Sequence, residues 1–462
     1  PAKLRAAKDA GITTVLIPQG QTTATDPATG KSVNLIDAGR ELGVEVREVA
    51  SVVEATDQLV GTSQNLPQSD PGPISAGLLS VVRRAANEAL VDVSRTPLDS
   101  SNIPSLVRAR PTVAQQVAVY VAKAKSALAA EDPIGALTSA SAAARLSYAW
   151  NARSAAVTQA TNVGAPKATE ALAGMATDLG KLIETRIATA SQTPTQFDEQ
   201  AVGLADALSW GTDAIARTTS VNSRLQKPST ALTPTILGTE AADLAESRYN
   251  SDFMLNTAVA ALATTGKKRI SDADATTSFL GSYADFLADA AEANGRYFEE
   301  IAEAAGGELA QDKALQDDLQ VVTAGRDRWE SVKSGSSAPE VAVKLSQAIS
   351  RYIDSTVLIA TSGVAAATND TSATSRIEIL DSAALTAQRE LATETTAREA
   401  RVMSASGLDS SYPRWSDSWG SGLTRLAGAD GSADQSELEG LVYQWFANIQ
   451  AAITVALTKA TS

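Results

Sequence analysis

The chain has 462 residues, with 53 acidic against 39 basic side chains and a formal charge of −14, long enough for more than one domain and for sizeable buried cores. It contains neither histidine nor cysteine. That excludes Ser-His-Asp and Cys-His catalysis, HExxH zinc sites, CxxC redox pairs and disulfides within these residues; the acidic balance also disfavours a nucleic-acid partner, because phosphate binding needs a basic face.

In chain order, residues 2–10 read as a short helix with Leu4 and Ala7 on one side, stopped by Gly11. Thr13 to Pro18 is a β-branched strand closed by proline, Asp26 to Gly30 a turn, and Val33 to Ile36 a short apolar run. Asp37 to Leu42 is one or two helical turns, released at Gly43 into a second strand, Val44 to Val49, and Val52 to Val60 reads as another helix. The order helix, strand, helix, strand, helix is an α/β unit that needs partner strands to cover its sheet.

These residues carry a resemblance. Lys3-Leu4-Arg5-Ala6-Ala7, then Ala10-Gly11-Ile12, Val15-Leu16-Ile17-Pro18 and Val44 to Val53, resemble the end of the proteolytic domain of Lon-type serine–lysine proteases. The continuation Gln19-Gly20-Gln21 with its inserted turn is more similar to archaeal Lon-like proteins that lack the ATPase module. The resemblance spans residues 1–61 and implies that Lys3 is the general base of a Ser-Lys dyad. A lysine takes that role only when burial and a positive neighbourhood, such as a helix N-terminus, lower its pKa. The alternative is a solvated lysine on a first helical turn. Read as an N-terminal base of the tautomerase kind, Pro1 fits poorly, because the residues after it are helical rather than a strand.

In that family the nucleophilic serine lies upstream of the lysine, so no serine of this chain takes the role. The resemblance therefore implies an upstream N-terminal proteolytic fragment as partner, a protein or peptide substrate, and a chain inactive by itself. It implies no cofactor. Together with a composition similar to proteins of salt-loving archaea, it points to an archaeal, halophilic, extracellular or cell-surface setting.

Residues 62–74, with Pro67, Pro71, Gly72 and Pro73, form a linker by composition. Beyond it the texture is Ala-rich and amphipathic, and the reading is a mostly α protein: a small α/β piece, then a large α-helical bundle or helical-repeat domain in two parts, 75–222 and 239–462, with a loop at 223–238. Pro111 is read as opening a helix in which Val113, Val117, Tyr120, Val121, Ala124 and Leu128 share a face. Glu131-Asp132-Pro133 turns it into a second, with Ile134, Leu137, Ser141, Ala144 and Tyr148 aligned. One such hairpin resembles a tetratricopeptide-type pair. Phe279, Tyr283, Phe286, Leu287, Ala290, Tyr297 and Ile301 form an aromatic stripe read as core, and helices are expected at Pro339–Ser362 and Thr374–Ser404.

Leu441 to Thr458 lacks charge but contains Gln444, Asn448 and Gln450, so it is read as a packing helix, with any membrane anchor outside these residues. Lys267-Lys268-Arg269 is too short for a nucleic-acid patch. Leu408 to Gly422 sets Tyr412, Trp415 and Trp419 among Ser, Asp and Gly, a composition that suits a surface binding loop; the alternative is that the tryptophans plug the bundle. Gly428 to Asp434 departs from the calcium-loop spacing, no metal site is assigned, and Asn369-Asp370-Thr371 is a glycosylation sequon for a protein outside the cell. The helices are read as positioning substrate or mediating assembly, with homo-oligomers an option; the rival reading is a non-enzymatic envelope protein of structural or binding role built on the helical domain.

Overall fold

The computed structural model describes residues 2–9, 11–18, 20, 22–25, 31–49, 58, 70–226, 232–304, 324–361, 365–368, 376–379, 382–427 and 433–461. Contacts divide the chain into two compact units, Pro1–Pro67 and Gln68–Ser462, so the boundary falls inside the expected linker. The first is a small α/β piece; the second is mostly helical.

In the first unit α1 (Ala2–Asp9) ends at Gly11, whose φ of +73° is the left-handed conformation that favours glycine. Gly11 N donates to the Lys8 carbonyl at 2.9 Å and Ile12 N to that of Ala7 at 2.8 Å. The chain then forms β1 (Thr14–Pro18), the antiparallel pair β2 (Thr23–Thr25) and β3 (Ser32–Asn34), α2 (Leu35–Leu42) and β4 (Glu45–Val49), with β1 and β4 parallel and Thr14 opposite Glu45. Asn34 caps α2, its Oδ1 accepting from Ile36 N and Asp37 N. Leu4, Ile17, Val44 and Val46 make the core. The turn at 26–30 lies outside the described residues, as does the helix at Val52–Val60 except Gln58.

The second unit contains α3 (Ala76–Arg95), α4 (Pro104–Ala129), α5 (Pro133–Val163), α6 (Ala165–Ser191), α7 (Asp198–Gln226), α8 (Pro234–Tyr249), a π turn (Asn250–Met254) and α9 (Leu255–Leu262). Next come α10 (Ala273–Ala304), α11 (324–332), α12 (Ala338–Thr361), the antiparallel strands β5 (Ala365–Thr368) and β6 (Arg376–Ile379), α13 (Ser382–Ala405), α14 (Ser411–Ala427) and α15 (Ala433–Ala460). Helix α7 is buried on nearly every side between Asp198 and Thr212, mostly through small and apolar residues, with Asp198, Glu199, Gln200 and Asp206 buried among them. Gly203 and Gly211 are why neighbours come so close: a Cβ there would lie 2.4 Å from Leu262 Cδ1 and 2.6 Å from Ile187 Cγ1. The many buried Ser and Thr side chains are satisfied locally, Thr138, Ser147 and Thr218 each bonding the carbonyl four residues back.

Several expectations need correcting. Helix α4 begins at Pro104 and passes through Pro111; Val107 and Pro111 face solvent, where water meets the carbonyl that the missing N–H leaves free. The hairpin itself holds, with Tyr120 packed on Ala143 and Leu426, and Asp132 Oδ1 accepting from Gly135 N at 2.9 Å. The 223–238 loop is shortened from both sides, because α7 continues to Gln226 and Thr233 caps α8 ahead of Pro234. The two helical parts fold as one unit. Residues 376–379 form a strand, consistent with the alternation of Ile377 and Ile379 around Glu378, and the helix after them starts only at Ser382. On α10 the buried face is Leu280, Ala284, Leu287, Ala288 and Ala291; of the aromatic stripe, Leu287 is in this core and Phe279 and Tyr283 pack against it, while Phe286 is 62% exposed and Tyr297 41%.

Where α14 crosses α15, Gly420 and Gly440 meet backbone to backbone, and a Cβ on Gly440 would lie 2.6 Å from the Gly420 oxygen. Gly440→Ala is expected to cost about 1–3 kcal/mol through overpacking. Gly174→Ala, with open space around its Cβ, is expected to be neutral or stabilising by up to about 1 kcal/mol. Urea unfolding of the two variants separates them.

Candidate functional site

Lys3 is the second residue of α1, inside the turn where unpaired backbone N–H groups create a positive field. Leu4 and Ala7 are buried, so the helix is docked on the first unit's core rather than free. Leu4, near the start of α1, and Ile17, near the end of β1, belong to that same core.

Tyr412, Trp415 and Trp419 occupy α14, not a surface loop, and their exposures are 1%, 3% and 3%. They plug the bundle, the second of the two readings, and their spacing gives the reason, since i, i+3 and i+7 put all three rings on one helix face. Trp210 of α7 stacks on Tyr443 at 4.9 Å between centroids and meets Trp419 edge-on at 5.8 Å; Tyr412 meets Trp415 edge-on at 5.2 Å. These rings lock α14 onto α7 and α15, and Ser and Gly at 416, 418, 420–422 provide the room.

A buried carboxylate next to this cluster explains the Lys267–Arg269 segment. Glu199, 3% exposed, accepts the backbone N–H of Lys267 at 3.2 Å, of Lys268 at 3.4 Å and of Asp409 at 2.8 Å. Gly266 N donates to Asp409 Oδ2 at 3.0 Å, and Arg269 lies over the Phe197 ring at 5.7 Å. The three basic residues are therefore held by their backbone as a structural clasp between the start of α7 and the start of α14.

A second ionic assembly links α7, α10, α11 and α12. Glu292 accepts from Arg296 at 3.1 Å, from Arg326 at 2.9 Å and from Arg351, while Arg326 also donates to Glu299 at 2.6 Å. Burial pushes the Glu292 carboxyl up, and the guanidiniums of Arg326, Arg296 and Arg351 together outweigh it, leaving it below the ordinary value. Arg328 donates to the Thr212 carbonyl at 2.8 Å and faces Asp213 and Asp354. Burial raises both of these carboxyls, and the Arg328 charge opposes the rise. Asp206, 5% exposed one turn and a half before Thr212, is raised to about 7 by burial and then by Asp213.

An open cleft of about 620 Å³ lies between α13 and α14, lined by Thr393, Thr396, Ala400, Arg401, Arg414 and Asp417 among others, with Asp70 and Pro71 on its edge. Arg414 donates to the Gly72 carbonyl and Asp70 Oδ1 accepts from Gly72 N at 3.0 Å. Burial lifts the Asp417 carboxyl to about 6, against the hydrogen bonds of Thr396 and Gln444 and the charge of Arg414. Gln444 donates to Thr393 Oγ1 at 2.7 Å and Thr396 to Asn448 Oδ1 at 2.6 Å, so Gln444 and Asn448 of the expected packing helix serve the α13 side of α15, while Gln450 lies against Gly203 of α7. Sequence reasoning missed this cleft.

Asn369 and residues 428–432 of the calcium-like stretch lie outside the described residues. Among the described residues no group of three or more acidic side chains is placed to hold a metal ion, and no helix is long and apolar enough to cross a membrane. Comparison with protein-family models, with curated proteins and with solved structures returned no match to this chain.

Proposed function

We propose that the first unit is the C-terminal part of a Lon-like Ser-Lys endopeptidase domain, that Lys3 is its general base, and that an upstream proteolytic segment supplies the serine. The observation that carries this reading is that Lys3 stands in the first turn of a docked helix within the residues that resemble that family. The absence of histidine and cysteine supports it by removing competing bases. In the mechanism, the neutral Lys3 amine takes the serine hydroxyl proton as the oxygen attacks the peptide carbonyl, then returns it to the leaving amine. The helical unit positions substrate or mediates assembly at a halophilic archaeal cell surface.

The test uses protein expressed with the coding sequence upstream of Pro1. Lys3→Ala is expected to lower hydrolysis of a fluorogenic peptide by at least about 1,000-fold, the scale on which losing a general base from such a site acts, with unchanged circular dichroism. Undiminished hydrolysis removes Lys3 from the mechanism.

A further inference from the structure

The cleft between α13 and α14 presents charges of both signs at separate places. Helices α13 and α14 are joined by the short connection 406–410, so Arg401 near the end of one and Arg414 near the start of the other share the connection end. Asp417 stands one turn farther along, about 4.5 Å of helix rise beyond Arg414. Among the described residues no ion pair joins Arg401 or Arg414 to Asp417 or Asp70. Two guanidiniums and two carboxylates line one open space, with Arg414 acting on Asp417 through its charge and not through a salt-bridge contact.

The Arg414 guanidinium gives one hydrogen bond to the Gly72 carbonyl and has further donors, since the group carries five. Asp417 Oδ1 is buried with no hydrogen-bond partner among the described residues. A purely anionic ligand would satisfy the arginines and be repelled by Asp417. A purely cationic one would meet the reverse. The set is complementary to a molecule that carries both charges a few ångströms apart.

We propose that this cleft binds a small zwitterion of the amino-acid or short-peptide class, its carboxylate held by Arg401 and Arg414 and its ammonium by Asp417, with the exposed Thr393 hydroxyl beside it. The cleft volume of about 620 Å³ accommodates a dipeptide rather than a folded partner. The proposal concerns the second unit alone and stands whether or not the first unit belongs to a peptidase.

Isothermal titration calorimetry of the full chain tests it, with a panel of free amino acids and of dipeptides spanning apolar, polar and charged side chains. At least one member is expected to bind, and its N-acetylated and its C-amidated forms to bind at least tenfold more weakly. Arg401→Gln and Asp417→Asn are each expected to weaken binding at least tenfold while keeping the wild-type melting profile; Arg401, being exposed, offers a variant whose folding is not in question. Sodium sulfate, the anion-only probe, is expected to give no saturable heat at the dipeptide's working concentration. The proposal is overturned if no panel member binds, if the blocked forms bind as well as the free one, if Arg401→Gln has no effect, or if sulfate binds equally.

Discussion

Glu199→Ala is expected to lower the unfolding free energy of the helical unit by about 4 kcal/mol, the largest loss from any single carboxylate in it. Its carboxylate accepts three backbone N–H groups, from Lys267, Lys268 and Asp409. Deleting it leaves these donors buried beside a cavity. A hydrogen bond to a charged group is worth about 1.5–3 kcal/mol, and an orphaned buried donor adds its own desolvation penalty. The sum is not additive, which keeps the expectation below three full bonds. Glu199→Gln keeps one acceptor oxygen at the same volume and is expected to lose about half as much. Glu88, exposed and 3.9 Å from Arg84, is the control, and Glu88→Ala is expected to cost at most about 0.5 kcal/mol. Urea unfolding at fixed salt measures all three. Equal losses for Glu199→Ala and Glu88→Ala contradict the clasp.

Asp206→Asn is expected to act in the opposite direction and to depend on pH. The Asp206 carboxyl rises from 3.8 to about 7 in the folded chain because it is buried, with Asp213 adding a like charge. Below pH ~4 both folded and unfolded states hold the proton. Between pH ~4 and ~7 the folded state holds a proton that the unfolded chain has released, so the stability contributed by this group falls as pH rises and is lost above pH ~7. At about 1.4 kcal/mol per pK unit, the span from pH 5 to pH 8 corresponds to about 2–3 kcal/mol. Asparagine has the same shape and no charge to bury. The variant is expected to be more stable than wild type at pH 8 by up to that amount, and to lose that part of the slope between pH 5 and 8. Thermal melts at constant ionic strength decide it; an unchanged slope, or a destabilised variant at pH 8, shows that Asp206 is solvated in its folded state.

Much of the first unit was legible in the sequence because its signals are local. Gly11 and Gly43 end helices in the left-handed conformation, and β-branched runs mark β1 and β4. The domain boundary was equally plain in a proline-rich stretch. In the helical unit the long elements could be read, but the details that make it work could not. Leu408–Gly422 admits two readings, a surface binding loop or a plug of the bundle, because Ser, Asp and Gly are weak helix formers; packing of Trp419 against Trp210 and Tyr443 decides for the plug. The spacing of Tyr412, Trp415 and Trp419 was the overlooked signal. Asp206 and Asp213 could also have been noticed, seven residues apart on one face of α7 among alanines and Trp210. The α13–α14 cleft had no such signal, since Asp70, Arg401 and Asp417 are distant in sequence and meet only through the fold. On α10 the aromatic stripe marks one edge of the buried face, and the alanines at 284, 288 and 291 fill the rest of it.

The reading of Lys3 as a proteolytic base is tested most directly by serine-directed phosphonate labelling of protein expressed with its upstream coding sequence, read by intact and peptide mass spectrometry. One serine upstream of Pro1 is expected to be labelled in wild type, and labelling is expected to be lost in Lys3→Ala while the melting profile is kept. Equal labelling of Lys3→Ala and wild type, or labelling confined to serines of residues 68–462, contradicts the assignment.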